Sequence, residues 1–293
     1  MSDLIKAIVL GIVEGLTEFL PVSSTGHLVL CERAMGVNLE APSSIWKTFV
    51  VFIQIGAILA VVVYFRRRIM DLVFGKRALP HGQAMAGALL DPVEPEASLT
   101  LQQRLHVMKM IAIGTLPALV IGYLVHDYIE ANLGSPMVIV AALFFGGIAI
   151  LAIERFHPTF RTGSIEAITW KQALGIGFAQ VLAAVFPGTS RSASTIMGGM
   201  IAGLSREASA EFSFFLAIPI MFAACGYSLL NYVMEHPALT SQQVLLFAVG
   251  TLVSFLVAWA VIGWFMRYIR SRTFTPFAIY RILLAIAVFM FVV

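Results

Sequence analysis

Residues 10–27 read LGIVEGLTEFLPVSSTGH, and the interpretation of this stretch decides the fold. An apolar run carrying Glu14 and Glu18 stops at Pro21-Val22-Ser23-Ser24-Thr25-Gly26, and apolar sequence then resumes to residue 35. A proline followed by small hydroxyl residues ends one helix and starts another, so residues 4–35 read as two short helices around a polar turn. Residues 172–203 repeat the arrangement, broken at Pro187-Gly188-Thr189-Ser190-Arg191-Ser192. Such pairs belong either to an ordinary soluble bundle or to segments that dip into a membrane. The surrounding sequence separates the two.

Of the 293 residues, 59% are hydrophobic and 12% charged, and the mean hydropathy is +0.91. A soluble domain runs nearer about half apolar and about a quarter charged. The composition therefore excludes an ordinary cytosolic enzyme, a disordered chain and a disulfide-stapled scaffold. The net charge of +3, from 19 Lys and Arg against 16 Asp and Glu, is too slight for a nucleic-acid partner. Six stretches are near the ~20 apolar residues that a bilayer crossing needs: 45–65, 107–126, 136–155, 207–233, 244–266 and 276–293. The expected fold is an all-α polytopic membrane protein with six transmembrane helices and two re-entrant helix-turn-helix segments. Broken backbone at membrane depth is tolerated only where protein or a water-filled cavity satisfies it. Cys31 and Cys225 lie far apart without metal-ligand spacing and read as buried hydrophobes. Glu14 and Glu18 interrupt the first apolar stretch and no small-x-small cleavage pattern follows, so it reads as mature protein.

Loop charges orient this arrangement. Arg66, Arg67, Arg68, Lys76, Arg77, Arg104 and Lys109 flank the connection between the first two spans; Arg155, Arg161 and Lys171 follow the third, and Arg267, Arg270 and Arg272 the fifth. Loops 127–135 and 235–243 hold neither Lys nor Arg. The positive-inside rule makes the basic loops cytoplasmic, although Lys6, Arg33 and Lys47 fall on the other side. The first broken segment then enters from outside and the second from the cytoplasm.

The broken segments also resemble each other. Residues 10–25 laid on 176–191 (IGFAQVLAAVFPGTSR) match at Gly11/Gly177, Leu16/Leu182, Pro21/Pro187 and Ser24/Ser190. Gly114-Thr115-Leu116 and Gly250-Thr251-Leu252 echo one another in the same order. The chain thus divides into halves 1–156 and 157–293, each a re-entrant pair plus three spans. An odd number of spans inverts one half relative to the other and lets the special turns meet near the midplane.

Charges inside apolar segments are costly and therefore informative. Glu14 and Glu18, four apart, share a helix face with Gly11 and Gly15 alongside, where another backbone can approach. Ser23, Ser24 and Thr25 suit the cap and first turn of the next helix, whose N-terminus favours anions. Ser24 and His27, three apart, pair a nucleophile with an acid/base group on one face. In the second turn Ser190, Ser192 and Thr195 surround Arg191, whose fork matches phosphate oxygens. Arg191 also suits an ion pair with Glu14 or Glu18, and the two roles are compatible if the pair forms only without the anion. Opposed helix N-termini, an arginine, hydroxyls and two carboxylates describe a site for a phosphorylated amphiphile. Glu14 and Glu18 with substrate phosphates could hold Mg²⁺.

The stretch Glu14-Gly-Leu-Thr-Glu18-Phe-Leu-Pro-Val-Ser-Ser24-Thr-Gly-His27 and the turn Pro187-Gly-Thr-Ser190-Arg191-Ser192 resemble the two signature motifs of the bacterial undecaprenyl-diphosphatase family, associated with bacitracin resistance. The resemblance spans essentially the whole chain, through Glu211-Phe-Ser-Phe and Pro276-Phe-Ala-Ile-Tyr-Arg281. It implies hydrolysis of undecaprenyl diphosphate to the monophosphate carrier lipid of peptidoglycan synthesis, a divalent cation such as Mg²⁺ or Ca²⁺, and a bacterial inner-membrane site facing the periplasm. Bacitracin enters only through the shared lipid. In this reading Arg191, Ser190, Ser192, Thr25, Ser23 and Thr195 bind phosphate and Ser24 attacks phosphorus or positions a water. His27 or Glu18 takes the proton. The rival is a transporter or flippase of a phosphorylated isoprenoid lipid, and a homodimer is left open. Loop 76–103 is assigned no role, and His81, His106, His126, His157 and His236 read as solvated or interfacial. Gln54 either lines the cavity or bonds a neighbouring helix. Glu207 and Glu211 read as an interfacial pair near Arg206.

Overall fold

A computed structural model of the chain describes residues 2–37, 45–75, 99–125, 135–156, 160–235 and 240–293. The described residues are helical, joined by turns and one isolated bridge between Thr162 and Leu204. The first broken segment forms α1 (Asp3–Thr17) and α2 (Ser24–Met35). Helix α3 (Ile45–Tyr64) is followed by α4 (Arg66–Phe74), α5 (Leu101–Leu124) and α6 (Pro136–Arg155). The second broken segment forms α7 (Trp170–Val185) and α8 (Arg191–Ile201), and α9 (Arg206–Glu235), α10 (Ser241–Ile269) and α11 (Thr275–Phe291) complete the chain.

Five of these helices, α3, α5, α6, α9 and α10, are long and apolar enough to cross a membrane. The sixth expected span is the 17-residue α11. At 1.5 Å per residue it extends about 25 Å, a little less than a typical hydrocarbon core of about 30 Å. Capping boxes start α5, α7 and α10, with Thr100/Gln103, Thr169/Gln172 and Thr240/Gln243 each exchanging side-chain and backbone bonds. Proline stands in the first turn of α6 and of α11, where its missing N–H costs nothing.

Helix α4 occupies part of what the sequence presents as a charged connection. Arg66 is exposed at its start, while Leu72 packs with Val107 and Met110 of α5. Gly75 closes it at φ 64°, and Arg104 donates to the terminal carbonyls of Leu72 and Val73.

The basic ends of the helices gather at one end of the bundle. There Arg68 pairs with Glu166 and Glu211, Arg206 with Glu154 at 2.5 Å, and Arg270 with Glu207 at 3.0 Å. Glu207 and Glu211 therefore do not share Arg206, because their partners arrive from other helices. His106, read as solvated, is half-buried with Nε2 2.8 Å from the Ile168 carbonyl. Gln54 bonds a neighbouring helix, accepting from Cys225 Sγ at 3.7 Å. His81, His126, His157 and His236, with most of loop 76–103, lie outside the described residues.

Two glycine contacts set the positions of the broken segments. A Cβ on Gly11 would lie 2.6 Å from the Gly250 carbonyl, so α1 rests directly on the backbone of α10. A Cβ on Gly177 would lie 2.5 Å from the Gly114 carbonyl, so α7 rests in the same way on α5. Helix α1 begins beside α3, with Lys6 over the Trp46 ring, whereas α7 begins beside the N-terminal part of α5 through His106. The turns of the two hairpins touch: Ser192 Oγ donates to the Leu20 carbonyl at 2.8 Å. Gly177→Ala is expected to destabilise the protein by about 1–3 kcal/mol through overpacking. Gly175→Ala, whose Cβ would meet nothing within 4 Å, should leave stability unchanged or slightly raised. Thermal unfolding of the two variants in one detergent makes the comparison.

Candidate active site

The paired turns share an unusual backbone feature. Ser23 at φ 72° and Ser190 at φ 73° are the non-glycine residues with positive φ among those described, and each stands immediately before a helix. Such a conformation is strained for a residue with a Cβ and persists only where its surroundings hold it. The match differs by one residue from the sequence alignment, which pairs Ser24 with Ser190. The second turn is one residue longer between proline and helix, and Gly188 at φ 91° takes up the extra residue.

Arg281 holds both turns. This side chain of α11 is fully buried and donates to the carbonyls of Pro21 (3.4 Å), Gly188 (3.2 Å) and Thr189 (2.9 Å). It also reaches Ala142 (3.0 Å) and Leu143 (3.5 Å) on α6. Gly146 leaves it room, since a Cβ there would collide with the guanidinium. In the sequence Arg281 stands out only as the end of a terminal motif. The signal that singles out Glu14, a charge inside an apolar helix, applies equally to it.

Above this clamp the two turns exchange polar contacts. Ser24 Oγ donates to Glu18 Oε2 at 2.7 Å, and Arg191 Nη2 donates to Glu18 Oε1 at 3.1 Å. Arg191 is further placed by the Ser213 carbonyl (3.3 Å), by Met221 Sδ (3.4 Å) and by the Phe19 ring, 5.3 Å from the guanidinium carbon. Its buried Nε has no partner among the described residues. Nε–H and one Nη1–H therefore lack an acceptor among the described residues, and an anion would supply one. Of the two roles open to Arg191, the ion pair is the one present, with Glu18 rather than Glu14 as partner. Glu14 is fully buried one helical turn before Glu18, and neither of its oxygens has a hydrogen-bond partner among the described residues.

The other hydroxyls divide by exposure. Thr25 is exposed and Ser24 and Ser190 are half-buried, so all three can meet a ligand. Ser190 Oγ caps α8 through the Ala193 N–H and donates to Ser192 Oγ, which passes its own hydrogen to the Leu20 carbonyl. Ser192 and Thr195 are fully buried, Thr195 against Ser213 Oγ at 2.6 Å and the Arg191 carbonyl at 2.9 Å. These two hydroxyls brace the turn. Ser23 is buried as well, its Oγ accepting from the Gly26 N–H at 3.4 Å. His27 points away from the Ser24–Glu18 pair, with Nδ1 2.7 Å from the Ser23 carbonyl and Nε2 2.7 Å from the Tyr280 hydroxyl.

A serine hydroxyl bonded to a carboxylate, beside an arginine with free donors, can perform nucleophilic or water-mediated attack on a bound phosphoryl group. The comparisons with known proteins agree. The family model described as bacitracin resistance protein BacA matches residues 7–287. A protein of Maridesulfovibrio salexigens named undecaprenyl-diphosphatase is 42% identical over 99% of this chain and 99% of its own length. Proteins of the same name from a Thermoanaerobacter species and from Aromatoleum aromaticum are 43% and 41% identical. They align over 99% and 96% of this chain, and over 96% and 92% of their own lengths. With the match running through both turns and on to α11, the chain belongs to the bacitracin resistance protein BacA family.

Proposed function

We propose that this chain hydrolyses undecaprenyl diphosphate to undecaprenyl phosphate and inorganic phosphate, renewing the carrier lipid of peptidoglycan synthesis and so conferring bacitracin resistance. The observation that carries this reading is the contiguous Ser24–Glu18–Arg191 arrangement assembled between the two turns. Binding a phosphorylated head group for translocation needs no hydroxyl bonded to a carboxylate, whereas nucleophilic attack does.

The terminal phosphate first competes with Glu18 for Arg191. As the guanidinium turns to the phosphate, Glu18 loses its counter-ion and becomes the stronger acceptor for the Ser24 proton. Ser24 Oγ then attacks the terminal phosphorus in line while Glu18 takes its hydrogen. The bond from that phosphorus to the bridging oxygen breaks, and undecaprenyl phosphate leaves with the electron pair. Water then attacks the phosphoserine, Glu18 returns its hydrogen to the departing Ser24 Oγ, and inorganic phosphate leaves carrying the hydrogens of the water, which restores both residues. Arg191, with hydroxyls of Ser190 and Thr25, stabilises the charge on the transferring group. Ser23, Ser192 and Thr195 support the turns that present those donors.

A divalent cation fits the residues present. The Glu14 carboxylate, buried without a protein donor and four residues from Glu18, is an oxygen ligand in need of a partner. With Glu18 kept as the proton acceptor, the Glu14 carboxylate together with substrate phosphates would match the preference of Mg²⁺ for one or two protein oxygens and retained waters. When bound, the ion would neutralise phosphate charge and favour departure of the leaving oxygen.

The proposed architecture is six transmembrane helices with two re-entrant pairs, in halves 1–156 and 157–293 related by inversion. It draws support from the reciprocal contacts Gly11 with Gly250 and Gly177 with Gly114, whose members correspond between the halves. With the basic end cytoplasmic, the first turn opens toward the periplasm of a bacterial inner membrane.

Detergent-purified protein is expected to release phosphate from a long-chain isoprenyl diphosphate with Mg²⁺ and not with chelator. Ser24→Ala and Arg191→Ala should each lower the rate by on the order of 10²-fold or more while remaining folded. Tight lipid binding without release under any cation would exclude the phosphatase. Glu14→Gln should raise the Mg²⁺ concentration for half-maximal rate by about tenfold or more, and an unchanged metal dependence would remove Glu14 as ligand. In a background lacking Cys31 and Cys225, a thiol at Ser164 should react with an impermeant maleimide only in inside-out vesicles, and one at Ser135 only in intact spheroplasts.

A further inference from the structure

Tyr280 directly precedes Arg281 on α11, yet the two side chains take opposite surroundings. Arg281 is fully buried beneath the turns, while Tyr280 stays 45% exposed beside α2. The phenol ring lies nearly parallel to the His27 imidazole, with centroids 5.5 Å apart and planes inclined by 12°. Its hydroxyl is 2.7 Å from His27 Nε2. The other ring nitrogen, Nδ1, is 2.7 Å from the Ser23 carbonyl.

These two bonds fix the histidine's hydrogen. A carbonyl only accepts, so Nδ1 carries the proton. The neutral ring then has its single lone pair on Nε2, and Tyr280 must donate to it. The basic nitrogen of His27 is thereby occupied by Tyr280 and directed away from Ser24, whose hydroxyl is engaged with Glu18. The Nδ1–H bond falls on Ser23, the residue held at φ 72°. The carbonyl of that strained residue and its direct neighbour Ser24 share one peptide plane, so fixing the carbonyl fixes how Ser24 leaves the turn.

We propose that Tyr280 is a positioning residue for phosphate release: it locks His27 as the Nδ1–H tautomer, and His27 in turn clamps the Ser23 carbonyl so that Ser24 is aimed at phosphorus. His27 acts as a strut between α11 and the first turn, and the proton of Ser24 goes to Glu18. The kinetic half of this inference rests on the phosphatase reading. The tautomer does not.

Protein labelled with ¹⁵N-histidine in detergent micelles tests both halves, with His27 assigned by its disappearance in His27→Gln. The wild type should show a protonated Nδ1 and an unprotonated, hydrogen-bonded Nε2. In Tyr280→Phe the Nε2 resonance should move toward that of an unbonded ring nitrogen while the protein elutes and melts like wild type. In phosphate release, Tyr280→Phe should lower kcat about tenfold with KM within about twofold, the size expected for one lost hydrogen bond that supports the transition state. The double variant Tyr280→Phe/His27→Gln should be no slower than His27→Gln alone. 4-Aminophenylalanine at position 280, which restores a donor on the same ring, should recover most of the rate. A wild-type Nε2–H tautomer, full activity in Tyr280→Phe, or losses that multiply in the double variant would each overturn the proposal. If the wild type releases no phosphate, the phosphatase reading and the kinetic half fall together, and the NMR result still decides whether Tyr280 sets the tautomer.

Discussion

A buried guanidinium bonded to backbone carbonyls governs the architecture. Interrupting a helix within an apolar interior exposes carbonyls that have lost their intrahelical N–H partners, and each one left unsatisfied there costs several kcal/mol. This chain makes two such interruptions and brings them together. A single side chain must therefore reach acceptors on three segments at once, and arginine, with five donors in a planar fork, is suited to it. Arg281 meets carbonyls of Pro21, Gly188, Thr189, Ala142 and Leu143. Among the described residues it has no carboxylate partner. Among those residues carbonyl dipoles balance its charge, so its field extends into the space between the turns and favours an anion there.

Much of this is legible in the sequence because lipid constrains backbone so strongly. An uncharged apolar run of about twenty residues matches the thickness of a bilayer core and exceeds what most soluble helices bury, and the helices α3, α6 and α9 begin within a residue of the expected spans. The turns are legible because proline followed by hydroxyl residues has a local mechanism. What escapes depends on contacts between distant segments. Arg66–Arg68 read as loop charge, since nothing local shows that Leu72 will find Val107. Glu207 and Glu211 group with Arg206 by proximity in the chain, whereas their partners arrive from α10 and α4. Pairing Ser24 with His27 on one helical face is sound geometry, but Tyr280 lies 253 positions away and turns the imidazole elsewhere.

The hydroxyls show a related limit. Composition of the second turn marks it as polar without saying which groups face a ligand. Ser192 and Thr195 are consumed in tying α8 to Leu20 and Ser213, while Ser190 and Thr25 keep access to the open side. Burial follows helical phase: Ser192 and Thr195, three apart, share the inward face of α8. A small hydroxyl at a broken helix serves the backbone first and is free for ligand only where the turn opens outward.

The two halves, related in the proposed architecture by inversion, do not contribute equally, and electrostatics explains why. In the sequence alignment Glu14 corresponds to Gln180, and Glu18 to Ala184. Had both hairpins kept the carboxylates, four acids would converge where the turns touch, each raising the cost of ionising the others. Instead the first hairpin supplies the acids and Ser24, and the second supplies Arg191. Gln180 remains as a buried, neutral counterpart of Glu14, and its amide likewise has no partner among the described residues. With uncharged residues at 180 and 184 and a guanidinium at 191, all in the second hairpin, the turns meet through the 3.1 Å contact between Glu18 and Arg191 rather than through repulsion of like charges. That contact is one a phosphate can displace, because the substrate offers Arg191 the same kind of oxygen.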